Sequence, residues 1–235
     1  MFSLDERIFL FFNGHRSPLL DILMPVYTSP WIWVPFYGAC FAALIYKYGW
    51  VRALMMLGAI IAAVGLTDYI CASIIRPWFG RLRPSNLDNP FSQYVTIVNG
   101  YRGGRYGFPS CHSANTFALI GSLVTFTRSG RFAVMLLLWG LFVCYTRMYL
   151  GVHYPTDLLM GATIGSTLGI SIALVAQRAG ANARRIRDSR GYRVRHVQFN
   201  IVNTNYTLAL APILIPTAIL VATLLTGFLF LIRVR

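Results

Sequence analysis

The sequence predicts an all-α integral membrane protein, a bundle of six transmembrane helices forming a single membrane domain, 1–235, with an N-terminal helix lying on the membrane surface. Three observations lead there. Of the 235 residues, 56% are hydrophobic and 12% charged, about half the charged fraction with which a water-soluble domain of this size covers its surface. Mean hydropathy is +0.58. Six apolar runs approach the roughly 20 helical residues needed to cross a bilayer core. Charge then narrows the partners, because 21 Lys plus Arg stand against 7 Asp plus Glu, for a net +14. Such a balance suits nucleic acid, anionic membrane lipids or a phosphate-bearing ligand. The apolar content argues against nucleic acid, and seven acids leave little from which to build a Mg or Ca site.

The elements follow in chain order. Residues 4–13 carry Asp5, Glu6 and Arg7 at their head and no small-residue cleavage site, so they are not a cleavable signal peptide. Leu4, Ile8, Phe11 and Phe12 share one helical stripe, and Asn13-Gly14 reads as a stop, which makes this the interfacial helix. The six spans cover about 31–48, 51–75, 113–127, 132–149, 157–176 and 208–232. The second ends at Arg76, because Pro77 disfavours helix in the residue before it. Lys47 and Arg52 flank the turn after the first span, and Arg128 and Arg131 the turn after the third. The link 177–200 holds Arg178, Arg184, Arg185, Arg187, Arg190, Arg193 and Arg195. Positive loops stay in the cytoplasm, so these three connections face inward, and the arginine block is expected to meet anionic lipid headgroups. The links 76–112 and 147–156 then face outward. Cys40, Cys71 and Cys144 fall inside spans as small packing groups, Cys111 stands alone in a loop, and no Cys-x-x-Cys pair suggests a disulfide or metal site.

The two outward links hold a constellation of polar residues. One opens with Arg76 and Arg83 and closes on Pro109-Ser110-Cys111-His112; the other contains Arg147, His153, Pro155 and Asp157. Ser110 is a natural N-cap for the third span, leaving free N–H groups and a positive dipole end at an anion site. Pro155 suits the first turn of the fifth span, with Asp157 able to reach back to the His153 imidazole and fix its tautomer. Guanidiniums converging from Arg76, Arg83 and Arg147 match phosphate oxygens. Arg81, Arg102 and Arg105, each taken singly, read better as boundary anchors. Asp68, an acid within the second span, is as well explained by helix packing or arginine orientation as by function.

These residues resemble a known family. Arg76-x6-Arg83-Pro84, Pro109-Ser110-Cys111-His112 and Arg147-x5-His153-x3-Asp157 are similar, in order, spacing and placement at span ends, to the three-part signature of the type 2 phosphatidic acid phosphatase superfamily, which includes bacterial acid phosphatases and vanadium haloperoxidases. The likeness covers about 51–176, the expected catalytic core. Lys is usual where Arg76 stands, Gly where Cys111 stands, and Ser where Thr146 stands. The cation and the hydroxyl are kept; Cys111 adds a side chain beside the anion site. The resemblance implies a metal-independent, cofactor-free hydrolase with a phosphohistidine intermediate. His153 would be the nucleophile, Asp157 its orienting partner and His112 the acid for the leaving oxygen. Arg76, Arg83, Ser110 and Arg147 would bind the phosphoryl group, with Cys111 and Asp68 in support.

A site at the outer membrane boundary, flanked by Trp78, Phe79, Tyr101, Tyr106 and Phe108, suits a lipid headgroup. The expected substrate is therefore a lipid phosphate or diphosphate, and the resemblance adds undecaprenyl diphosphate, lipid A and phosphatidylglycerophosphate as candidates in a bacterial inner membrane, with the site facing the periplasm. The rival readings are a lipid-binding or transport protein, since Asp68 and the boundary arginines could line a path, and a vanadate-dependent oxidase. Oligomeric state is left open.

Overall fold

The computed structural model describes residues 2–189. The expected sixth span and the arginines from Arg190 onward lie outside the described residues. Helices follow one another as α1 (Leu4–Gly14), α2 (Pro18–Tyr27), a 3-10 turn (Pro30–Trp33), α3 (Val34–Tyr48), α4 (Trp50–Tyr69), a π turn (Ile70–Ile75), α5 (Arg76–Phe79), a 3-10 turn (Pro90–Tyr94), α6 (Cys111–Thr127), α7 (Gly130–Tyr149) and α8 (Pro155–Ser189). The described residues form no strand, only an isolated bridge between Leu82 and Tyr106.

Three continuous helical stretches are long and apolar enough to cross a membrane: Trp50–Phe79, Gly130–Tyr149 and Pro155–Ala181. Pro18–Tyr27 and Pro30–Tyr48 make a fourth if the pair, bent by 73°, counts as one span. The expected first span, 31–48, corresponds to Pro30–Tyr48; the helix that precedes it across the bend, Pro18–Tyr27, lies in a segment too short to register as a span. The second span does not stop at Arg76. Its ladder widens over Ile70–Ile75, where the Arg76 N–H reaches the carbonyl of Cys71, and the helix runs on to Phe79 before Gly80 closes it in a left-handed conformation. The π turn shifts the hydrogen-bonding register just before Pro77, which has no N–H to give.

The tightest packing is between α6 and α8. Gly161, Gly165 and Gly169 recur every fourth residue and meet Ser110, Ala114 and Ala118 at the same interval; a Cβ on any of the three would run into the carbonyl oxygen opposite. Small residues spaced this way let helix backbones close together in a membrane. That proximity sets the start of α6 against the start of α8, where the Ser110 N–H donates to the Asp157 carbonyl at 3.0 Å and the Ser113 hydroxyl to the Leu158 carbonyl at 2.7 Å. Gly165→Leu is expected to destabilise the bundle by about 3 kcal/mol or more, read as a lowered thermal midpoint and loss of monodisperse protein on detergent extraction.

At the far end of α6, Lys47 donates to the Thr127 carbonyl at 3.0 Å, and Gln177 donates to the Thr125 carbonyl at 3.0 Å. The cations expected on the cytoplasmic side therefore include one at the end of the bundle away from the α6 N-terminus.

α1 begins with a reciprocal Ser3–Glu6 cap and docks on the bundle through Phe9, packed against Phe91 and Tyr154. Asn13, taken from sequence as a helix stop, is buried; its amide nitrogen donates to the carbonyls of Thr96, Met148 and Tyr149 and its oxygen accepts the Thr96 N–H.

Candidate active site

The predicted residues meet at one end of the bundle, where the α4–α5 end, the start of α6, the end of α7 and the start of α8 converge. Ser110 is the N-cap of α6, its hydroxyl accepting from the Ser113 N–H at 3.5 Å. Pro155 opens α8, and Asp157 lies in its first turn. The Asp157 carboxylate, fully buried, has one oxygen 3.0 Å from the Tyr154 N–H and 3.4 Å from His153 Nδ1.

The other ring nitrogen, His153 Nε2, lies 2.8 Å from Arg83 Nη1. A guanidinium can only donate, so Nε2 is the acceptor and carries the lone pair, which leaves the ring proton on Nδ1, facing Asp157. The tautomer is thereby set from both sides. Burial, then Arg83 and Arg147, hold the His153 pKa well below its ordinary value, keeping the imidazole neutral.

Three guanidiniums surround this histidine. Arg76 donates to the Pro109 carbonyl at 3.0 Å and to Cys111 Sγ at 2.8 Å. Arg83 also donates to the Val152 carbonyl at 3.1 Å, and burial, then Arg147 and Arg76, press its pKa down to about 10. Arg147, 1% exposed, donates to the Thr28 hydroxyl at 2.5 Å. Among the described residues, the Nε atoms of all three arginines are buried without a hydrogen-bond partner. An unmade bond at a buried donor costs about 1–3 kcal/mol, more for a charged group, so this is a cradle whose donors fit an oxyanion. Arg102 and Arg105, read as anchors, bond instead to the Ser85 carbonyl and to Asp88.

His112 stands in the first turn of α6. It is exposed along a cavity that it lines, and desolvation by the surrounding protein first, then Arg147, Arg83 and Arg76, push its pKa below the ordinary value. Asp68 accepts from Asn115 Nδ2 at 2.8 Å one helical turn below Cys111. It lies beside the site and touches none of the three arginines through the bonds described. The cavity, about 720 Å³, runs from Asp68, Cys111, His112 and Asn115 into the apolar interior between α3, α4, α6 and α7, past Leu44, Ile60, Leu123 and Trp139. Among the described residues, no three His, Cys, Asp or Glu side chains gather as metal ligands.

Two residues beyond the predicted set reach the site. Thr28, in the bend between α2 and the first 3-10 turn, holds Arg147, and Arg81 contacts the second Asp157 oxygen at 2.9 Å. Neither was marked by the sequence motifs.

A family model described as the PAP2 superfamily matches residues 52–181. The chain is 42% identical over 179 residues to a lipid A 4'-phosphatase of Bacteroides thetaiotaomicron, covering 76% of this chain and 80% of that protein. It is 36% identical over 172 residues to a lipid A 4'-phosphatase of Porphyromonas gingivalis, covering 71% and 70%. In fold it is similar to the crystal structure of Aquifex aeolicus LpxE, with a TM-score of 0.54 at 23% identity, over 73% of this chain and 95% of that one. It is likewise similar to a transmembrane PAP2 type phosphatidylglycerolphosphate phosphatase from Bacillus subtilis, with a TM-score of 0.53 at 22% identity, over 78% and 87%. With the membrane-length helices and the three converging motifs, these likenesses agree with one another: the chain belongs to the PAP2 superfamily and is an integral-membrane phosphatase.

Proposed function

We propose that this enzyme removes a phosphate from lipid A, at the 4' position, by a metal-independent reaction through a phosphohistidine. The observation that carries the chemistry is the cradle of three guanidiniums, each with a buried, unpartnered Nε, around His153, whose Nε2 lone pair accepts from Arg83. The two 4'-phosphatase relatives at 42% and 36% identity support lipid A ahead of undecaprenyl diphosphate and phosphatidylglycerophosphate. The apolar cavity leading away from His112 supports a substrate whose tail remains among the helices while its phosphate meets the arginines.

The phosphate oxygens take the N–H groups of Arg76, Arg83 and Arg147 and the free backbone donors at the α6 N-terminus, with the Ser110 hydroxyl in reach. Arg83 exchanges its bond to His153 Nε2 for one to the phosphoryl group, which frees the lone pair. Nε2 attacks phosphorus, the bond from phosphorus to the lipid oxygen breaks, and His112 gives that oxygen a proton. Asp157 takes up the strengthened Nδ1–H bond as the ring becomes positive. Water then attacks the phosphohistidine with His112 as base, inorganic phosphate leaves, and His153 is restored. Phosphoryl transfer needs mainly positioning and charge stabilisation, which fixed arginines supply. Empty, the site disfavours a second charge on His112; an anion among the arginines offsets their field and returns the proton that a general acid must carry.

The same reading extends to the membrane. α1 lies in the interface, supported by Leu4, Ile8 and Phe11 exposed along one side. The chain is read as six spans in one domain, its catalytic core about 51–176, in a bacterial inner membrane with the site on the periplasmic face; Lys47, Arg128 and Arg178 at the far end of the bundle support that orientation.

Purified enzyme in detergent is the test. Phosphate release from a panel of lipid A, undecaprenyl diphosphate and phosphatidylglycerophosphate is expected to be fastest with lipid A and to persist in excess EDTA. Loss of release in EDTA overturns the metal-independent mechanism, and failure to cleave any of the three returns the chain to lipid binding or transport.

A further inference from the structure

We infer that Arg81, held in place by Asp5 of the N-terminal helix, is a positioning residue for the reaction: it fixes the Asp157 carboxylate so that the His153 imidazole meets phosphorus in one orientation. The inference rests on the reading of Asp157 as the orienting partner of His153. Arg81 reads as a boundary anchor in sequence, yet both terminal nitrogens of its guanidinium are engaged. One nitrogen donates to Asp157 at 2.9 Å and to the Thr156 hydroxyl at 2.6 Å, the other to Asp5 at 2.5 Å, and the guanidinium carbon lies 4.2 Å from the centroid of the Tyr154 ring. Asp5 in turn accepts the Thr156 N–H at 3.0 Å and the Thr156 hydroxyl at 2.6 Å.

Asp157 is consequently pinned at both oxygens, one by Arg81 and the other by the Tyr154 N–H, and it is the second of these that faces His153 Nδ1. Rotating the carboxylate away from the imidazole breaks both bonds. The chain path explains how Arg81 arrives there. Leu82 pairs with Tyr106, while the Arg83 and Gly107 N–H groups bond to the carbonyls of Arg105 and Arg81; in so extended a stretch, residues two apart share a face. Arg81 and Arg83 therefore approach the same dyad, one at its carboxylate and the other at its lone pair. An exposed ion pair contributes little, but here one partner is entirely buried and Arg81 is its cation. Asp5 lies ahead of residues 52–181, the stretch matched by the family model, so the N-terminal helix adds a part to the site from outside that core. Its cap at Ser3 and Glu6 sets the start of the helix and with it the place of Asp5.

The test compares Arg81→Leu, Arg81→Met, Arg81→Lys, Asp5→Asn and Asp157→Asn, with phosphate release from lipid A in detergent micelles and thermal unfolding measured on each. Arg81→Leu and Arg81→Met are expected to lower kcat on the order of 30-fold with KM within about threefold. Arg81→Lys should recover part of that, since an ammonium supplies charge but cannot span Asp5 and Asp157 while stacking on Tyr154. Asp5→Asn should lower kcat roughly fivefold. An unchanged kcat in Arg81→Leu, equal recovery by Met and Lys, or losses that merely track the unfolding midpoints across the panel would overturn the inference. Should Arg81→Leu not fold, the Lys and Met pair together with Asp5→Asn decides. If Asp157→Asn turns over normally, it is the reading of the dyad that fails; if Asp157→Asn is crippled and Arg81→Leu is not, the role of Arg81 alone falls.

Discussion

His153→Ala is expected to abolish turnover, lowering kcat on the order of 10⁶-fold, the scale seen when the nucleophile of a coupled catalytic unit is removed. Among the described residues no other imidazole accepts from these arginines: His153 Nε2 takes the Arg83 N–H, and the Nδ1–H is already directed to Asp157. The cradle itself does not depend on the imidazole. Arg83 keeps the Val152 carbonyl, Arg76 keeps Pro109, and Arg147 keeps Thr28, so labelled lipid A should still bind to the alanine variant with an affinity within about threefold of the parent. Rapid quench of the parent enzyme with labelled substrate should place phosphate on His153. Label found on His112 would reverse the two roles.

Arg147→Leu should cost roughly 10³-fold in kcat/KM, about 4 kcal/mol of transition-state stabilisation, in keeping with arginines that neutralise a transferring phosphoryl group. Arg147 is the most deeply buried of the three guanidiniums; it donates to the Thr28 hydroxyl and interacts with Tyr101, whose ring centroid lies 5.9 Å from its guanidinium carbon. Among the described residues no carboxylate pairs with it, so its charge is left for an anionic ligand to neutralise. Removing it relieves a buried cation, so the variant should unfold at a midpoint no lower than the parent while losing activity. This dissociation of stability from turnover separates a substrate ligand from a structural residue. A variant as active as the parent would show that Arg76 and Arg83 suffice.

Motif spacing carried most of the site. Ser110, Pro155 and Asp157 were placed by helix-start chemistry that depends on neighbours within four residues, and the arginines and histidines by their positions at span ends; all of them converge. What escaped depended on partners remote in sequence. Arg81 reads as an anchor until Asp5, 76 residues earlier, is seen against it, and Asn13 reads as a helix stop until the carbonyls of Met148 and Tyr149 are found on its amide. Thr28 lies in a bend that hydropathy cannot locate, because α2 is ten residues long and merges into the next apolar run. The glycines at 161, 165 and 169 are legible in sequence: an interval of four on an apolar helix marks a face of close approach.

The widened turn at Ile70–Ile75 has a phase effect on everything that follows it. On an unbroken α-helix, Asp68 and Arg76, eight residues apart, would differ in azimuth by about 80°. One extra residue in the ladder takes back roughly 100°, which brings the two side chains onto nearly the same meridian, both facing α6, with Asp68 on Asn115 and Arg76 on Cys111. The helix thus behaves like a screw whose pitch has been altered just below its head. Its lower turns are clocked for packing among apolar neighbours, while its last turn directs Arg76 to Pro109 and Cys111 at the start of α6, and a single amino acid accounts for the difference.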